Sequence, residues 1–352
     1  MKIFVLYSEL AGYTMACMRR YAEVYGGEMH IVRWPVNPEA PFNFDGIPGV
    51  TYYERNDYDA KGLIALGERI QPDVVYSAGW IDKAYLRVAR HFYRQGLPVI
   101  AAFDTQWKGL FKQKIATVLS PFLFRRSFTH CWVPGLFQYE YARRLGFPRE
   151  RILTGMYSAD VKLFEAVYAP SQAQKEIAYP HRFIYVGRYL ALKGVRELYH
   201  AFREMSAEVE HDWELVLIGN GPLKAELAPQ PNIVFRDFVQ PTELPQLAFA
   251  AGAFVLPSRT DAWGVVLHEF AAAGLPLIST DAAGAITAFV REGYNGFLHR
   301  RGSKDSLKAV LKKVIALSDP ELRTMSQRSH ELSKQISPDT WAATLHKVAV
   351  GE

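Results

Sequence analysis

Two carboxylates lie eight positions apart in the second half of this 352-residue chain, at Asp261 and Glu269. The apolar run before them ends at Pro257, and the pattern predicts a strand, a loop and then a helix from about Val265. Gly264 allows the backbone to pass close to a ligand, and the unpaired amides at a helix start can donate to an anion. Glu269, about one turn into that helix, can accept paired hydrogen bonds from vicinal hydroxyls such as those of a ribose. This unit can hold a phosphate and a sugar, although an ordinary helix with a capping aspartate and a solvated glutamate fits it equally well.

A second segment carries two cations that suit a diphosphate. Residues 183–186 form an apolar strand pattern that ends in Gly187 and Arg188. Lys193 follows five residues later, just before a helical pattern from Val195. Arginine binds phosphate oxygens in a planar fork, whereas lysine acts as a mobile point charge. Two solvated surface cations are the alternative that this segment leaves open.

Taken together, these segments resemble glycosyltransferase family 4. Five motifs follow in family order over about residues 183–300, whereas the first half of the chain is similar only in general architecture. The motifs are G-R-x4-K-G at residues 187–194, G-x-G-P at 219–222, a strand end at 255–258, E-x7-E at 261–269 with aspartate in the first acidic position, and G-x-N-G-x at 293–297.

The resemblance implies an α/β protein with the GT-B fold, in which two Rossmann-like βα domains face each other across a cleft and the C-terminal helix returns to the N-terminal domain. It also implies retaining transfer of a sugar from a nucleotide diphospho-sugar, with a UDP-, GDP- or similar donor and neither a cofactor nor a required metal. The acceptor would be a glycan or a lipid-linked carbohydrate in cell-surface polysaccharide or lipopolysaccharide synthesis.

The resemblance assigns roles to the residues of these motifs. Arg188 and Lys193 match the pair that binds the diphosphate leaving group, where preorganised charge is the largest expected contribution to catalysis. Glu269 matches the carboxylate that holds the nucleotide ribose, and Asp261 stands where the family contacts hydroxyls of the donor sugar. The residues that the resemblance places around the nucleotide are Gly12, Gly187, Asn220, Gly221, Phe238, Val239, Trp263, Gly264, Val265 and Val266.

The chain departs from the family pattern at three of these places. Asp261 is one methylene shorter than glutamate, so either the sugar lies closer to the loop or the contact passes through water. Asp237 stands near the position where the family usually has glycine, and the base therefore stays open. Gly12, in the loop expected after the first strand, is single where relatives have two glycines.

The acceptor side carries a weaker signal. Many relatives have a histidine after the fourth strand of the N-terminal domain, but here Asp104 and Trp107 follow that strand. Asp104 could accept the proton of the acceptor hydroxyl or bind a sugar hydroxyl, and Trp107 could stack on a sugar face. An aspartate that caps the following turn beside a buried tryptophan is the other interpretation.

The alternation of apolar runs and amphipathic stretches favours two doubly wound parallel sheets. We expect strands at residues 3–7, 29–34, 74–77, 98–103 and 130–134, then at 182–186, 214–218, 233–236, 253–256 and 277–280. Helices are expected at residues 12–25, 59–70, 82–94, 113–124 and 135–145, and a loop at 35–49. The polar, aperiodic residues 169–175 suggest a linker. The expected division is an acceptor-binding domain at 1–170, a nucleotide-sugar-binding domain at 176–335 and a returning helix within 336–352.

The charge of the chain is unevenly distributed. The first 175 residues hold 22 basic against 16 acidic side chains, whereas the remainder holds 19 against 20. Between residues 101 and 135 the only acidic residue is Asp104, and the five cations, interleaved with apolar side chains, are Lys108, Lys112, Lys114, Arg125 and Arg126. Such a basic amphipathic surface can lie on anionic lipid. Nucleic acid is disfavoured because no recognised motif for it is present.

The cysteines, the apolar segments and the motifs that are missing indicate the cellular compartment and the alternative functions. Cys17 and Cys131 show no metal-ligand spacing or disulfide framework, and neither a leader nor a membrane-spanning run is expected. We therefore expect a cytoplasmic protein that is peripheral at the inner face of the membrane. A nucleotide-sugar-binding protein without transfer activity, and a GT-B epimerase or phosphorylase, are the alternatives. A dehydrogenase is disfavoured because no G-x-G-x-x-G follows the first strand.

Overall fold

The computed structural model describes residues 1–35 and 46–351, so residues 36–45 of the loop expected at 35–49 lie outside the described part of the chain. The chain divides into two compact units. Unit 1 comprises Met1–Asp160 and Ile336–Glu352, and unit 2 comprises Val161–Gln335. Among the described residues, none of the helices is both long and apolar enough to cross a bilayer.

The strands are β1 (Lys2–Leu6), β2 (Glu28–Arg33), β3 (Val50–Glu54), β4 (Val74–Ser77), β5 (Val99–Ala102), β6 (His130–Trp132), β7 (Ile152–Leu153), β8 (Arg182–Val186), β9 (Glu214–Ile218), β10 (Ile233–Arg236), β11 (Ala253–Leu256), β12 (Leu277–Thr280) and β13 (Gly296–His299). The α-helices are α1 (Gly12–Tyr25), α2 (Ala60–Ile70), α3 (Lys83–Arg94), α4 (Phe111–Leu123), α5 (Leu136–Arg144), α6 (Val161–Ile177), α7 (Val195–Glu208), α8 (Leu244–Phe249), α9 (Val265–Ala272), α10 (Ile286–Phe289), α11 (Lys304–Ile315), α12 (Asp319–Ser333) and α13 (Pro338–Val350).

Unit 1 is built on a parallel sheet with the strand order β3-β2-β1-β4-β5-β6-β7. Its central strands β4 and β5 are buried throughout, which is why they read as short continuous apolar runs in the sequence. Helices α2, α3 and α5 pack over one face of the sheet, and α1 and α13 pack over the other. The strand order reverses between β1 and β4.

The last helix, α13, packs against unit 1, which confirms the predicted return of the chain. The indole of Trp341 stacks on that of Trp132 with ring centroids 5.0 Å apart. Its Nε1 donates to the carbonyl of Met156 at 3.0 Å. At the start of the helix, the carboxylate of Asp339 accepts from Arg20 of α1 at 2.5 Å. Buried aromatic packing therefore carries most of this attachment, and one surface ion pair adds to it.

Unit 2 repeats the architecture with the parallel order β10-β9-β8-β11-β12-β13. One face of the sheet is covered by α7 and α11. On the other face, Phe254 of β11 stacks on Phe270 of α9 at 4.3 Å, and Phe164 of α6 packs beside it at 6.3 Å. The structure thus confirms two Rossmann-like α/β units, with bounds for β8 to β12 that are those predicted from the sequence.

The predicted linker at residues 169–175 is wrong, because these residues belong to helix α6. Pro170 lies inside this helix, and the polar residues that follow it include side chains that are buried in unit 2. Lys175 is 1% exposed, its Nζ donates to the carbonyl of Gly274 at 3.3 Å, and burial lowers its pKa to about 7. The boundary between the units therefore falls after Asp160 rather than at residue 170.

Strands β3, β7 and β13 were not predicted, and all three lie at an edge of their sheet. An edge strand has one neighbour and is only partly buried, so it lacks the continuous apolar run of a central strand. Four of the five residues of β3 are partly buried, one is exposed and none is fully buried.

At the amino end of β8, His181 joins the sheet of unit 2 to helix α12. Its Nδ1 lies 2.7 Å from the carboxylate of Asp212, and its Nε2 lies 3.0 Å from that of Asp319. The ring also stacks on Trp213 with centroids 5.1 Å apart. Burial opposes protonation, but the hydrogen bonds to Asp319 and Asp212 outweigh it and raise the pKa of His181. The imidazolium therefore stabilises this corner of the fold.

Candidate functional site

The predicted donor residues of unit 2 lie at the carboxyl ends of two neighbouring strands, β8 and β11. These strands flank the point at which the strand order reverses. Ligands of open α/β sheets bind outside the carboxyl ends of the strands at such a switch point, because the connections diverge there and leave a crevice. Gly187 and Arg188 follow β8, and Asp261 follows β11.

Glycines allow the two loops to approach each other closely. Gly194 has a φ of +70°, and a Cβ at this position would lie 2.1 Å from the carbonyl oxygen of Pro257 at the end of β11. A side chain at residue 194 would therefore force the loops apart. Gly219 has a φ of +136°, and its Cβ would lie 2.1 Å from the carbonyl oxygen of Gly187. Glycine is therefore required at these motif positions, because a side chain would clash with the backbone of the neighbouring loop.

The structure brings Lys193 and Asp261 together as an ion pair. The Nζ of Lys193 lies 2.7 Å from Oδ2 of Asp261, and the two side chains are 24% and 12% exposed. The hydroxyl of Ser258 also donates to the same carboxylate oxygen at 3.3 Å. From the sequence, the two residues were assigned to different parts of the donor, and their direct contact was not predicted. At this position the carboxylate orients the lysine and balances its charge.

The loop that carries Asp261 is held from two sides. Asp261 forms an isolated parallel β-bridge with Ala283, which follows β12. The amide of Ala285 donates to the carbonyl of Trp263 at 2.9 Å. Trp263 is 2% exposed, and its ring packs edge-on against Phe289 at 6.2 Å. Because its indole is buried, Trp263 can contact a nucleotide through its backbone but not through its side chain.

Helix α9 begins directly after this loop. Its cap, Gly264, has a φ of +92°, which a residue with a side chain rarely adopts. The amide of Leu267 donates back to the carbonyl of Gly264 at 3.0 Å, so the first-turn amides that α-helical geometry leaves for a ligand are those of Val265 and Val266. Glu269 is half-buried and lies four residues after Val265 on the same face of the helix. The rise of an α-helix separates these two by about 6 Å along the axis.

The turn after β9 lies against the loop after β8. The amide of Tyr189 donates to the carbonyl of Asn220 at 2.7 Å. Gly221 has a φ of +150°, and its Cβ would lie 2.7 Å from the carbonyl oxygen of Tyr189. With its amide oriented by its hydrogen-bond partners, Asn220 donates to the carboxylate of Asp237 at 2.9 Å, and Lys224 pairs with the same carboxylate. The carboxylate of Asp237 therefore interacts with Asn220 and Lys224, although its side chain is 75% exposed.

Phe238 and Val239 follow β10 and are half-buried beside this cluster. Their position at the carboxyl end of β10 is the one predicted from the sequence. Asp237, the residue that departs from the family pattern, stands immediately before them, so its ion pair with Lys224 borders the place predicted for the base.

Two buried tyrosines support the site and were not predicted. The hydroxyl of Tyr185 donates to the carbonyl of Arg188 at 2.9 Å and so orients the backbone of that residue. Burial raises the pKa of the Tyr185 and Tyr189 hydroxyls well above the ordinary value, so both remain neutral. Their place on β8 and its loop could be read from the apolar strand pattern, but their orientation towards the site could not.

In unit 1, the carboxyl end of the sheet places Asp104 among tyrosines. The hydroxyl of Tyr157 donates to Oδ2 of Asp104 at 3.5 Å, and Tyr13 packs edge-on against Tyr157 at 5.5 Å. Burial raises the pKa of Tyr7 to about 12, and it raises the pKa of Tyr157 well above the ordinary range. Asp104 therefore lies beside phenol groups that remain neutral at physiological pH.

The structure gives the positions of two further candidate residues of unit 1, Gly12 and Trp107. Gly12 is the first residue of helix α1, which confirms the helix predicted at residues 12–25, so it is not part of the loop after β1. Trp107 is half-buried against the core, with the guanidinium of Arg144 lying 4.6 Å over its ring and Tyr141 at 5.8 Å. One face of the indole is thus covered by Arg144. This arrangement fits the structural interpretation of Trp107 better than an open platform for a sugar.

Across residues 1–35 and 46–351, no three His, Cys, Asp or Glu side chains are grouped so that they could hold a metal ion.

Comparison with known proteins relates this geometry to a family. Residues 180–317 match the family described as glycosyl transferases group 1. An uncharacterised glycosyltransferase of Methanocaldococcus jannaschii is 27% identical over 197 residues, which are 52% of this chain and 53% of that protein. The D-inositol 3-phosphate glycosyltransferase of Corynebacterium efficiens is 30% identical over 213 residues, which are 55% of this chain and 49% of the other. The chain thus spans about half the length of the curated relatives it matches.

Solved structures are similar over the whole length. HepE of Anabaena, crystallised in complex with UDP, has a TM-score of 0.75 with 18% identity, and the alignment covers 100% of both chains. The same protein was also crystallised in complex with UDP-glucose. At this level of identity the similarity shows the fold, which is GT-B.

Proposed function

We propose that this protein is a glycosyltransferase that moves a sugar from a nucleotide diphospho-sugar to a carbohydrate or lipid-linked acceptor. The observation that carries the proposal is the convergence of Lys193, Asp261 and the first turn of α9 at the switch point of unit 2. All of these residues fall within the part of the chain that matches glycosyl transferases group 1. HepE, which shares the fold, binds UDP and UDP-glucose.

The proposed reaction breaks the bond between the anomeric carbon of the donor sugar and the β-phosphate oxygen. The bonding electrons go to that oxygen, so negative charge develops on the diphosphate as it leaves. Arg188, Lys193 and the amides of Val265 and Val266 are the groups placed to stabilise this charge. Lys193 is held by its ion pair with Asp261 and the two amides are held by the helix. Groups that are fixed before the reaction begins lower a barrier most.

The two carboxylates are proposed to bind hydroxyl groups. Glu269 on α9 would accept from the ribose hydroxyls, because it shares a helix face with Val265, whose amide would bind the phosphate. Asp261 would accept from a hydroxyl of the donor sugar with the oxygen that does not contact Lys193. Two cations and two carboxylates together leave the site nearly neutral without a ligand and suited to a dianionic leaving group.

On the acceptor side, we propose that Asp104 receives the proton of the attacking hydroxyl or binds an acceptor hydroxyl. It lies at the carboxyl end of the sheet of unit 1 and next to the hydroxyl of Tyr157, which can donate to it and orient it. Bond formation between the acceptor oxygen and the anomeric carbon then completes the transfer.

We also propose that the stereochemistry is retained, that no divalent metal is required and that the product enters a cell-surface polysaccharide on the cytoplasmic side of a membrane. Retention follows from the resemblance of the motifs, and metal independence follows from the use of Arg188 and Lys193 as fixed cations. Full activity in the presence of a chelator would support the second point, whereas loss of activity that manganese restores would contradict it.

The direct test measures binding and transfer separately. Calorimetry with UDP and GDP identifies the nucleotide, and release of nucleotide from a panel of donors, with and without oligosaccharide or lipid-linked acceptors, measures transfer. We expect Arg188→Ala and Lys193→Ala each to lower turnover about 10²-fold or more. Arg196→Ala is the matched control, since this cation lies on α7 nearby but pairs with Glu226 at the surface.

Near-normal turnover in both Arg188→Ala and Lys193→Ala would contradict the proposed diphosphate site. Tight binding of a nucleotide sugar with no transfer to any acceptor would instead favour the nucleotide-sugar-binding protein without transfer activity.

A further inference from the structure

Helix α4 of unit 1 exposes large apolar side chains along one face. Phe111 is 77% exposed, Val118 is 72% exposed and Phe122 is 63% exposed, and Ile115 and Leu119 are exposed between them. These five residues recur at intervals of three and four, which places them on one side of an α-helix. We call them the α4 stripe. In most amphipathic helices of globular proteins, the side with this pattern faces the core.

The polarity of α4 is inverted relative to such helices. The side chains of α4 that are buried are polar, namely Gln113 and Ser120. The Oε1 of Gln113 accepts from the amide of Lys108 at 2.8 Å, and its Nε2 donates to the carbonyl of Gln106 at 2.6 Å. The hydroxyl of Ser120 donates to the carbonyl of Leu145 at 2.5 Å. These hydrogen bonds, together with the packing of Ala116 and Leu123 against the core, hold the inner side of the helix, while the α4 stripe faces outward.

The apolar surface continues at the carboxyl end of the sheet. Ile81, in the connection after β4, is 82% exposed, and Leu110, in the connection after β5, is 57% exposed. Leu136, which follows β6, is 63% exposed. Because β4, β5 and β6 are neighbours in the sheet, these three residues come from the same edge that carries Asp104. Several large apolar side chains exposed at one edge of a sheet indicate an interaction site.

The charges around the stripe indicate what binds there. Lys112 and Lys114 lie on α4, and Arg125 and Arg126 follow its end. None of these four pairs with a carboxylate in the part of the chain that the structure describes. The guanidinium of Arg126 lies 5.8 Å from the centre of the Phe122 ring, so this cation is adjacent to the α4 stripe. An isologous contact with a second copy would bring these like charges together, whereas an anionic lipid surface neutralises them.

We propose that α4 lies in the plane of an anionic bilayer, with the α4 stripe inserted at the boundary between headgroups and acyl chains and the flanking cations at the headgroups. Long basic side chains suit this position, because their stems cover apolar surface while the charge stays in the polar layer. Membrane binding itself does not depend on the proposed transfer reaction. If both hold, the carboxyl edge of the sheet of unit 1 faces the bilayer, and the acceptor is a lipid-linked glycan.

Insertion can be distinguished from simple charge attraction by its response to salt. At 1 M salt the Debye length is about 3 Å, against about 10 Å at 0.1 M, so a purely electrostatic contact is largely lost. An inserted apolar stripe remains bound. We therefore expect measurable binding to anionic vesicles at 1 M salt, reduced from its value at 0.1 M but not abolished.

The experiment is co-sedimentation of the full chain with vesicles of phosphatidylcholine and phosphatidylglycerol, with pure phosphatidylcholine vesicles for comparison. Phe111→Ser and Phe122→Ser should each lower the partition coefficient about tenfold at both salt concentrations, the scale of withdrawing one phenylalanine from an apolar phase. Ile177→Ser is the matched control, because Ile177 is 83% exposed but belongs to α6 of unit 2. It should bind like the wild type.

A second measurement reports insertion directly. Cys17 and Cys131 are buried, so a cysteine introduced as Val118→Cys can be labelled selectively with an environment-sensitive fluorophore. A blue shift of its emission on addition of anionic vesicles is expected, with no such shift for Ile177→Cys. These changes lie on exposed side chains, so folding should be retained, and circular dichroism checks it.

Absence of binding to anionic vesicles at low salt would overturn the proposal, as would binding that Phe111→Ser and Phe122→Ser leave unchanged. A dimer in light scattering that these variants dissociate, without vesicle binding, would assign the α4 stripe to a second copy and would also overturn it. Calorimetry with UDP on the same proteins keeps the two proposals apart. Failure of the wild type to bind UDP, GDP or another nucleoside diphosphate contradicts the transferase alone, and failure to bind vesicles contradicts the membrane contact alone.

Discussion

Replacing Asp261 by asparagine is expected to tighten, and not to weaken, the binding of a free nucleoside diphosphate. The carboxylate lies 2.7 Å from Nζ of Lys193 and occupies the charge that the diphosphate requires. Two unit charges about 3 Å apart attract by about 5 kcal/mol at an effective dielectric of about 20, before desolvation is counted. Coupling energies measured between contacting residues are about 0.5–3 kcal/mol. If removal of the carboxylate charge makes about 1 kcal/mol of this attraction available to the diphosphate, the diphosphate binds about fivefold more tightly.

A double-mutant cycle measures this competition. Calorimetry with UDP, or with whichever diphosphate binds, is carried out on the wild type, Asp261→Asn, Lys193→Ala and the double variant. We expect Lys193→Ala to weaken binding at least tenfold and Asp261→Asn to have no effect in its background. With the intact sugar donor, Asp261→Asn should lower turnover, because a charged acceptor for the sugar hydroxyls has been replaced by a neutral one. Ser258→Ala removes the neighbouring hydrogen bond and no charge, so it serves as the control.

Equal weakening of free-diphosphate binding in Asp261→Asn and Lys193→Ala would contradict this competition. The carboxylate would then support the diphosphate site instead of competing with it.

Three further predictions concern the same unit. Gly194→Ala should destabilise the protein by about 3 kcal/mol in urea unfolding, because a Cβ there meets the backbone of β11 at 2.1 Å. Gly96→Ala, with a φ of +86° but nothing within 4 Å, should cost only about 1 kcal/mol. Glu269→Gln should weaken diphosphate binding about tenfold in calorimetry, with normal binding contradicting the ribose contact. Because the pKa of His181 is raised in the fold, its stabilisation should be complete below about pH 6.5 and lost as pH rises through the raised value. Thermal melts of His181→Ala should lack this fall.

Local sequence determined most of the secondary structure. The central strands of unit 2 are buried on both faces, so each is a continuous apolar run whose ends could be predicted. Helices α2 and α3 begin after Asp59 and Asp82, whose side chains accept from first-turn amides as the predicted helix starts require. The motif residues after β8 and β11 could be found because they follow the ends of these apolar runs.

Where the sequence misled, a contact distant along the chain was the cause. Helix α6 contains Pro170 and a polar run that reads as a linker, yet Lys175 is buried against Gly274. Burial of this side chain depends on a partner 99 positions away, which no local pattern reports. Three of the four edge strands, β3, β7 and β13, were missed because partial burial removes the apolar run, whereas the edge strand β10 was predicted.

Only the tertiary structure shows which side chains of the candidate site contact each other and which face of α4 is buried. Lys193 and Asp261 are separated by 68 positions, and the glycine contact between the ends of β8 and β11 brings their charges together. The periodicity of α4 predicted a helix correctly but could not say which side meets the protein. Gln113 and Ser120 find backbone partners on the inner side, and this leaves the apolar stripe outside. Periodicity specifies the faces of a helix, whereas the partners available after folding decide which face is buried.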